Sequence, residues 1–245
     1  VNEEVEVLPN HKWMTLGQIK ELMKYDNLVN MDTRTVLSCI PLSSINKNDR
    51  KKVDKYFNDK SLYYSMFNDE ESVIPKIYNY INNKKMFSNY KYNIVSLKSL
   101  NNWDIRDNEI VCKNKNSFKV IFCDIEIEGR EVTHWKQPLF EAIGEAIFGL
   151  ICCEFDGIKK FLIHCKEEVG CFDYIELGPT VQLEANYDEK DINDIDSIFF
   201  ELYNKKSYIK HDVLLSEEGG RFYCEQNKNI VIDLGEQKVE RLSKL

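Results

Sequence analysis

The run Ala146–Phe155, AIFGLICCEF, is a continuous apolar strand in the sequence, and Gly157 turns the chain immediately after it. Strand candidates precede it in close succession: Asn93–Leu97, Ile110–Cys112 and Lys119–Ile127. In the last of these, alternation puts Ile121, Cys123, Ile125 and Ile127 on one side. Short strands spaced by turns, with only a few helices, predict an α+β domain built on a mixed or antiparallel sheet. No repeat is visible within the chain.

The helical signals lie mostly before these strands. Residues 1–10 are acidic and end in Pro9, like a linker or the tail of an earlier element. Thr15 can cap a helix carrying Leu16, Ile19, Leu22 and Met23, which should end near Tyr25 or Asp26. Val29–Pro41 is a second apolar element, helix or strand, with Asp32 and Arg34 read as surface charges or an internal ion pair. Residues 43–72 are rich in Asn, Lys, Asp and Ser and form a weakly patterned, mobile connector, the main internal boundary. A helix is expected from Glu71, with Pro75 in its first turn and a core-facing stripe of Ile74, Ile77, Tyr78 and Ile81. Pro138 should break the strand pattern, leaving Leu139–Ile143 as a short helix or a loop.

Composition excludes several classes. A chain of 245 residues with 43% hydrophobic residues, 10 glycines and 5 prolines is globular, not fibrous or disordered. Its formal net charge of -8 argues against general nucleic-acid binding and against an anionic membrane surface. There is no apolar run of ~18 residues and no signal-peptide pattern at the start, so a cytoplasmic protein is expected. The 8 cysteines form no CxxC pair and read as reduced, buried small hydrophobes.

Three polar clusters interrupt this globular pattern. The first is GREVTHWKQP, Gly129–Pro138. If extended, it places Arg130, Val132 and His134 on one face and Glu131, Thr133 and Trp135 on the other; with Lys136 and Gln137 it suits a polyanionic, ring-bearing ligand. The second is the strand FLIHCKEE, with His164, Lys166 and Glu168 on one face. It is expected to pair through a hairpin with IELGPTVQ, whose Glu176, Thr180 and Gln182 share a face. The third is SEEGGRFYCEQNKN, Ser216–Asn229, where Glu217, Glu218 and Arg221 flank two glycines that free the backbone for unusual conformations. Each also reads as ordinary surface: a strand end, a solvated sheet face, an acidic turn. None matches a phosphate loop, a metal-ligand spacing or a Ser/His/Asp signature.

Taken in order, WMTLGQIKELM with NLVNMDTRTVLSCIP, then GREVTHWKQP, FLIHCKEEVG, GPTVQ with Asn186 and Tyr187, and SEEGGRFYCEQNKN resemble the NDP-hexose 2,3-dehydratases of deoxysugar biosynthesis. The likeness spans nearly the whole chain outside 43–72. Departures are His164-Cys165, Gly178 and Leu183-Glu184, where the family has an amide and a small residue, alanine or serine, and small polar residues. The resemblance implies two similar Nudix-like repeats in the full family member. By it, residues 1–42 form a helical arm like the end of a first repeat, 43–72 the connector, and 73–245 most of a second repeat. With Val at position 1, the chain is expected to be a fragment or a processed form.

The resemblance also implies an NDP-4-keto-6-deoxyhexose substrate, most often dTDP-linked, in a protein acting before a 3-ketoreductase. The elimination involves no net redox change, so no nicotinamide or other cofactor is expected, and with no metal-ligand spacing no metal is; the apolar arm at one terminus makes a homodimer the expectation. Arg130, Lys136 and Arg221 would then hold the diphosphate, with Trp135 against the base or sugar. Lys166, Gln182 or Tyr187 would polarise the carbonyl, and Glu217 or Glu218 would remove a proton. Gln137, Thr180, Asn186 and Arg34 complete the expected substrate contacts. The alternative is a non-catalytic nucleotide-sugar-binding and dimerising repeat.

Overall fold

The computed structural model of the protein describes residues 9–41, 45–68, 73–114, 116–236 and 242. It is a mixed α+β fold in which antiparallel sheets carry the chain and helices flank them. The first sheet is a meander of β1 (Trp103–Ile105), β2 (Glu109–Cys112), β3 (Phe118–Glu126) and β4 (His134–Ala142), each antiparallel to the next. Strands β3 and β4 pair from Phe118↔Ala142 to Glu126↔His134. Pro138 does not break this strand. Phe140, two residues on, donates its N–H outward to Arg221 O at 2.8 Å, so by alternation the N–H that Pro138 lacks also belongs to the open edge. Leu139–Ala142 is therefore strand, neither helix nor loop.

The second sheet is built around β5 (Ala146–Phe155), the apolar run. The chain's last strand, β11 (Gln226–Asp233), lies parallel to it from Asn227↔Ala146 to Asp233↔Cys152, and β10 (Ile209–Ser216) pairs antiparallel on the far side of β11. The other edge of β5 is shared. β6 (Ile158–Phe161) covers its C-terminal half and β9 (Val181–Leu183) its N-terminal half. Between these two visits the chain forms a separate ribbon of β7 (His164–Glu167) and β8 (Ile175–Gly178), with Lys166 opposite Glu176. The expected hairpin is present, but each of its long strands is cut in two. At the cut a side chain replaces the ladder: Thr180 Oγ1 accepts from Ile151 N at 2.9 Å and donates to Leu162 O at 2.5 Å.

One face of this sheet is covered by α6 (Asp194–Asn204), capped by Asn193 in a reciprocal box with Asp196. Its Ile198, Phe199 and Leu202 pack on Ile151, Val181, Leu183, Ile230 and Ile232, forming the main core. Burying each such side chain contributes about 1.5–3 kcal/mol. Gly149 sits under the Phe199 ring, where a Cβ would overlap the aromatic carbons.

The leading segment binds to the sheet's outer edge. Helix α1 (Leu16–Leu22) opens on a Thr15/Gln18 capping box and ends earlier than expected, at Met23. The uncertain Val29–Pro41 element is helix α2 (Met31–Ser38), capped by Asn30. Between them, Asn27 N donates to Leu214 O at 3.1 Å and Leu214 N to Asp26 Oδ1 at 2.9 Å, anchoring the segment on β10.

Residues 45–68 are not a weakly structured connector. They hold α3 (Lys47–Val53) and α4 (Lys60–Phe67), the latter packed against β6. The scattered aromatics are the reason: Phe57, Tyr64 and Phe67 meet the buried Tyr63 ring edge-on at 5.1–5.5 Å, and Tyr63 Oη donates to Arg50 O at 2.8 Å.

Helix α5 (Ile74–Phe87) follows, with its proline in the first turn; the expected start at Glu71 lies outside the described residues. Its stripe does not face a core. No residue of α5 is buried, and Ile74, Ile77 and Tyr78 are 48%, 39% and 64% exposed. The expected strand at Asn93–Leu97 is not formed: among the described residues no strand lies beside it, Ile94 is almost fully exposed and Leu97 opens a 3-10 turn. Of the cysteines, Cys152 is buried, while Cys39 and Cys224 are exposed, a correction to the all-buried expectation.

Candidate functional site

Strand alternation sorts the polar residues of the second sheet. Because Ile147, Gly149 and Ile151 face α6, Phe148 and Leu150 face the opposite side, as do Gln182 on β9, Leu215 on β10 and Asn227, Asn229 and Val231 on β11. A cleft of about 510 Å³ opens on that side, lined by Phe148, Leu150, Pro179, Gln182, His211, Leu215, Asn229 and Val231. Its floor is apolar and its rim carries two amides and an imidazole.

Gln182 also lines a second cleft of about 510 Å³, beyond the end of β9, with Asn116, Ser117, Lys166, Glu184, Asn186, Tyr187 and Asp191. Four expected site residues, Lys166, Gln182, Asn186 and Tyr187, thus converge. Lys166 Nζ donates to Gln182 O at 3.0 Å, which fixes the ammonium at the mouth. Gln182 Nε2 reaches Glu168 Oε2 at 3.4 Å. Asn186 adopts a left-handed turn conformation, φ 58°, and its amide donates to Asn116 O at 3.0 Å, clamping the loop to the first sheet. The Tyr187 ring stacks on Phe200 of α6 at 6.2 Å. Thr180 is not among these residues: its hydroxyl is spent inside the sheet and the residue is 5% exposed.

The expected carboxylates are among the described lining residues of neither cleft; they lie in the turn between β10 and β11. Glu217 N donates to Glu225 O at 3.0 Å, and Glu217 Oε1 accepts from Asn227 Nδ2 at 2.6 Å. Arg34 reaches this point from α2, donating to Val29 O at 2.7 Å and Ser216 O at 2.9 Å. Burial lowers its pKa, and the nearby Glu217 charge opposes that shift. Glu218 instead pairs with Arg221, whose guanidinium also lies over the Phe222 ring at 5.3 Å. Gly219 and Gly220 do not adopt left-handed conformations; Cys224, φ 51°, does. The role expected of the glycines, unusual backbone geometry, falls to that cysteine.

The GREVTHWKQP stretch divides in two. Gly129–Thr133 is the β3–β4 hairpin loop, with Gly129 at φ 81°, so Arg130, Val132 and His134 do not share a strand face. From His134 the strand alternates: Trp135 and Gln137 point one way, His134 and Lys136 the other. Arg130 lies over the Trp135 ring at 6.0 Å, Trp135 Nε1 donates to Gln137 Oε1 at 2.6 Å, and Gln137 Nε2 donates to Gly220 O at 2.9 Å. With the Phe140–Phe222 bridge, this chain of contacts joins the first and third sequence clusters. Lys136 is not part of it. It lies 3.5 Å from Asp124, which also accepts from His134 Nε2 at 2.5 Å. The His134 hydrogen bond, with Lys136 beside it, holds Asp124 below the usual carboxylate range.

Sequence reasoning missed Glu225, Asn227 and Glu184. Glu225 is pushed above the usual carboxylate range by burial first, then by the charges of Glu217 and Glu184. Asn227 is 2% exposed. The period-2 pattern Glu225, Asn227, Asn229 within the third cluster carried this information. Neither Glu217 nor Glu218 lines the cleft that holds Lys166, among its described residues. No group of three His, Cys, Asp or Glu side chains among the described residues is arranged to hold a metal ion, and no described helix is long and apolar enough to cross a membrane.

A family model described as NDP-hexose 2,3-dehydratase matches residues 1–40 and 75–244. The chain is similar to the dTDP-4-dehydro-6-deoxy-alpha-D-glucopyranose 2,3-dehydratase of Saccharopolyspora spinosa, 33% identical over 250 residues that cover 98% of this chain and 50% of that protein. Proteins of the same description from Streptomyces violaceoruber and Amycolatopsis orientalis are 29% and 27% identical, covering 94% and 96% of this chain and 49% and 46% of theirs. The chain spans about half the length of these curated relatives.

Proposed function

This chain belongs to the NDP-hexose 2,3-dehydratase family, and on that premise we propose that it acts as a hydro-lyase on an NDP-4-keto-6-deoxyhexose, with dTDP the preferred nucleotide. The carbonyl at carbon 4 acidifies the hydrogen on carbon 3. A carboxylate of the 217–225 turn takes it as a proton, leaving an enolate whose electron pair forms the new double bond as the carbon 2 hydroxyl departs. That hydroxide gains a proton and leaves as water, and the enol becomes a 3,4-diketo-2,6-dideoxy sugar. No electrons are gained or lost overall.

The observation that carries this reading is the meeting of Lys166, Gln182, Asn186 and Tyr187 at one cleft that shares Gln182 with an apolar-floored neighbour. In it, Lys166 or Tyr187 stabilises the enolate oxygen, and the apolar floor receives a ring. Arg130 against Trp135 and Arg221 near Gly220 supply cations for the diphosphate; Lys136, turned to Asp124, is the weakest candidate.

In the same reading the sheet domain is a Nudix-like repeat, which the mixed sheet and flanking α6 support. Helices α1 and α2 are an arm seated on β10, and the protein is a cytoplasmic homodimer whose product passes to a 3-ketoreductase. The rival reading, a binding repeat without catalysis, is favoured by the separation of Glu217 and Glu218 from the Lys166 cleft lining. Turnover separates the two. A vicinal diketone condenses with o-phenylenediamine to a quinoxaline, so incubation with dTDP-4-keto-6-deoxyglucose and this trap should yield the sugar quinoxaline. Bound substrate recovered unchanged would favour the binding repeat.

A further inference from the structure

The turn that begins β11 holds a polar side chain which the fold leaves incomplete. Asn227 is almost wholly buried, and its Nδ2 donates to Glu217 Oε1 at 2.6 Å, yet its Oδ1 has no partner. Leaving a buried acceptor unserved costs free energy comparable to a lost hydrogen bond, so its presence points to a donor that arrives with a ligand or with a proton.

The surroundings say which. Glu225 lies just before β11, and its carbonyl accepts from Glu217 N at 3.0 Å, one step past the Ser216↔Gln226 pair. By alternation its side chain falls on the Asn227 side of the sheet, away from α6. Glu184 follows Leu183, the partner of Ile147 on β5, and Asn227 lies beside Ala146 on that strand's other side. Glu217 holds the Asn227 amide and has Arg34 close by, and the charges of Glu217 and Glu184 act on Glu225. The carboxylates are not equivalent. Glu217 is held by the Asn227 amide and Glu218 by Arg221, so each already has a partner. Among the described residues no donor or cation engages the Glu225 carboxyl.

We propose that Glu225 is the proton-transferring carboxyl of this site and that Asn227 positions it, an assignment that rests on the dehydratase reading. As carboxylate, Glu225 takes the carbon 3 hydrogen as a proton; the C–H electron pair becomes the enolate. The protonated Glu225 then offers its O–H to Asn227 Oδ1, the acceptor that stands unserved while Glu225 is ionised. When the carbon 2 to oxygen bond breaks, the departing hydroxide takes that proton, water leaves, and the carboxylate is restored. One carboxyl serves both halves of the elimination, and every proton is accounted for. Burial, and then the charges of Glu217 and Glu184, hold Glu225 above the usual carboxylate range, which suits a carboxyl that takes up a proton.

The test compares the chain with Glu225→Gln and Glu217→Gln, using carboxyl-13C-glutamate labelling, calorimetry and exchange of the carbon 3 hydrogen with solvent deuterium in dTDP-4-keto-6-deoxyglucose. Titration of the unmodified chain should show one glutamate resonance above the exposed ones; it should vanish in Glu225→Gln and move when the nucleotide sugar is added. Glu225→Gln should bind the sugar within about 3-fold of the parent and exchange at least ~100-fold more slowly, the range lost with a general base. Glu217→Gln should retain more exchange than Glu225→Gln. If the parent exchanges and Glu225→Gln keeps pace within about 2-fold, the assignment is wrong while the dehydratase reading stands. If the parent binds without exchange or water loss, the dehydratase reading falls. Should Glu225→Gln not fold, the titration decides: a Glu225 resonance that coincides with exposed glutamates and ignores the sugar overturns the assignment.

Discussion

Lys159 Nζ lies 2.6 Å from Asp233 Oδ2, with their side chains only 8% and 10% exposed. The same ammonium also meets Asp59, the cap of α4, so one buried cation ties the 45–68 helices to the last strand of the central sheet. Replacing Lys159 with Met would leave the buried Asp233 carboxylate unpaired, and a cost of roughly 3–5 kcal/mol is expected. Urea unfolding measures it. Asp59→Asn should cost clearly less, because that carboxylate is 40% exposed and solvent can replace the lysine.

The same triad sets a pH dependence. Burial alone would raise Asp233, but the hydrogen bond from Lys159, that from Gly235 N and the nearby lysine charges outweigh it, and its pKa is lowered; Asp59 is lowered as well. A carboxylate depressed in the folded state stabilises above its unfolded value, about 3.9, and that contribution fades as pH falls through the lower folded value. Burial likewise opposes the charge on Lys159, yet its two carboxylate partners raise it overall, so its contribution is complete below about 10.4 and fades only as pH rises through the higher folded value. Neutral solution retains both. Stability measured against pH should drop on the acid side, and Asp233→Asn should flatten that drop.

Gly149→Ala should destabilise by about 1–3 kcal/mol, since the added carbon meets the Phe199 ring in a core with no room to yield. A lower thermal midpoint with unchanged chemistry per folded molecule is the expected result.

Thr180→Val removes the hydroxyl that bridges Ile151 N and Leu162 O where β6 gives way to β9. Two buried backbone groups lose their partner, and about 1–3 kcal/mol should be lost. Nucleotide-sugar affinity, measured on the folded fraction, should stay unchanged, because this hydroxyl does not face the clefts.

Glu225→Gln should raise stability at neutral pH. A carboxyl whose folded pKa is raised contributes fully only below its unfolded value and loses that contribution as pH rises through the folded one. Removing the charge removes the penalty, so the variant's gain over the parent should appear above that range and disappear in acid. A group that costs stability where the protein works is the expected signature of a functional carboxyl.

The sequence made the strands around Ala146–Phe155 legible, along with the Thr15 cap and the hairpin that sets Lys166 opposite Glu176, because period-2 burial and capping chemistry are local signals. It failed where long-range partners decide. The α5 stripe has helical spacing, but the helix merely touches β8 and none of its residues is buried, and α3 and α4 form because Tyr63 collects aromatics that look scattered in the sequence. Lys166 and Gln182 stood out by strand alternation, Asn186 and Tyr187 by the family resemblance, and the fold brings all four to one cleft. Thr180 was misassigned because a hydroxyl that completes a broken ladder looks the same in sequence as one that meets a ligand. Glu225 was overlooked because its raised pKa comes first from burial and then from the charges of Glu217 and Glu184, all set by long-range packing.

The chemistry proposed for this sheet face is carbon 3 deprotonation followed by loss of the carbon 2 hydroxyl. The most direct measurement is the fate of carbon 3 when the chain meets dTDP-4-keto-6-deoxyglucose in deuterium oxide. Deuterium at carbon 3 of recovered substrate, together with formation of the 2-deoxy diketone, is the predicted result. Tight binding with neither deuterium at carbon 3 nor loss of the 2-hydroxyl would contradict it.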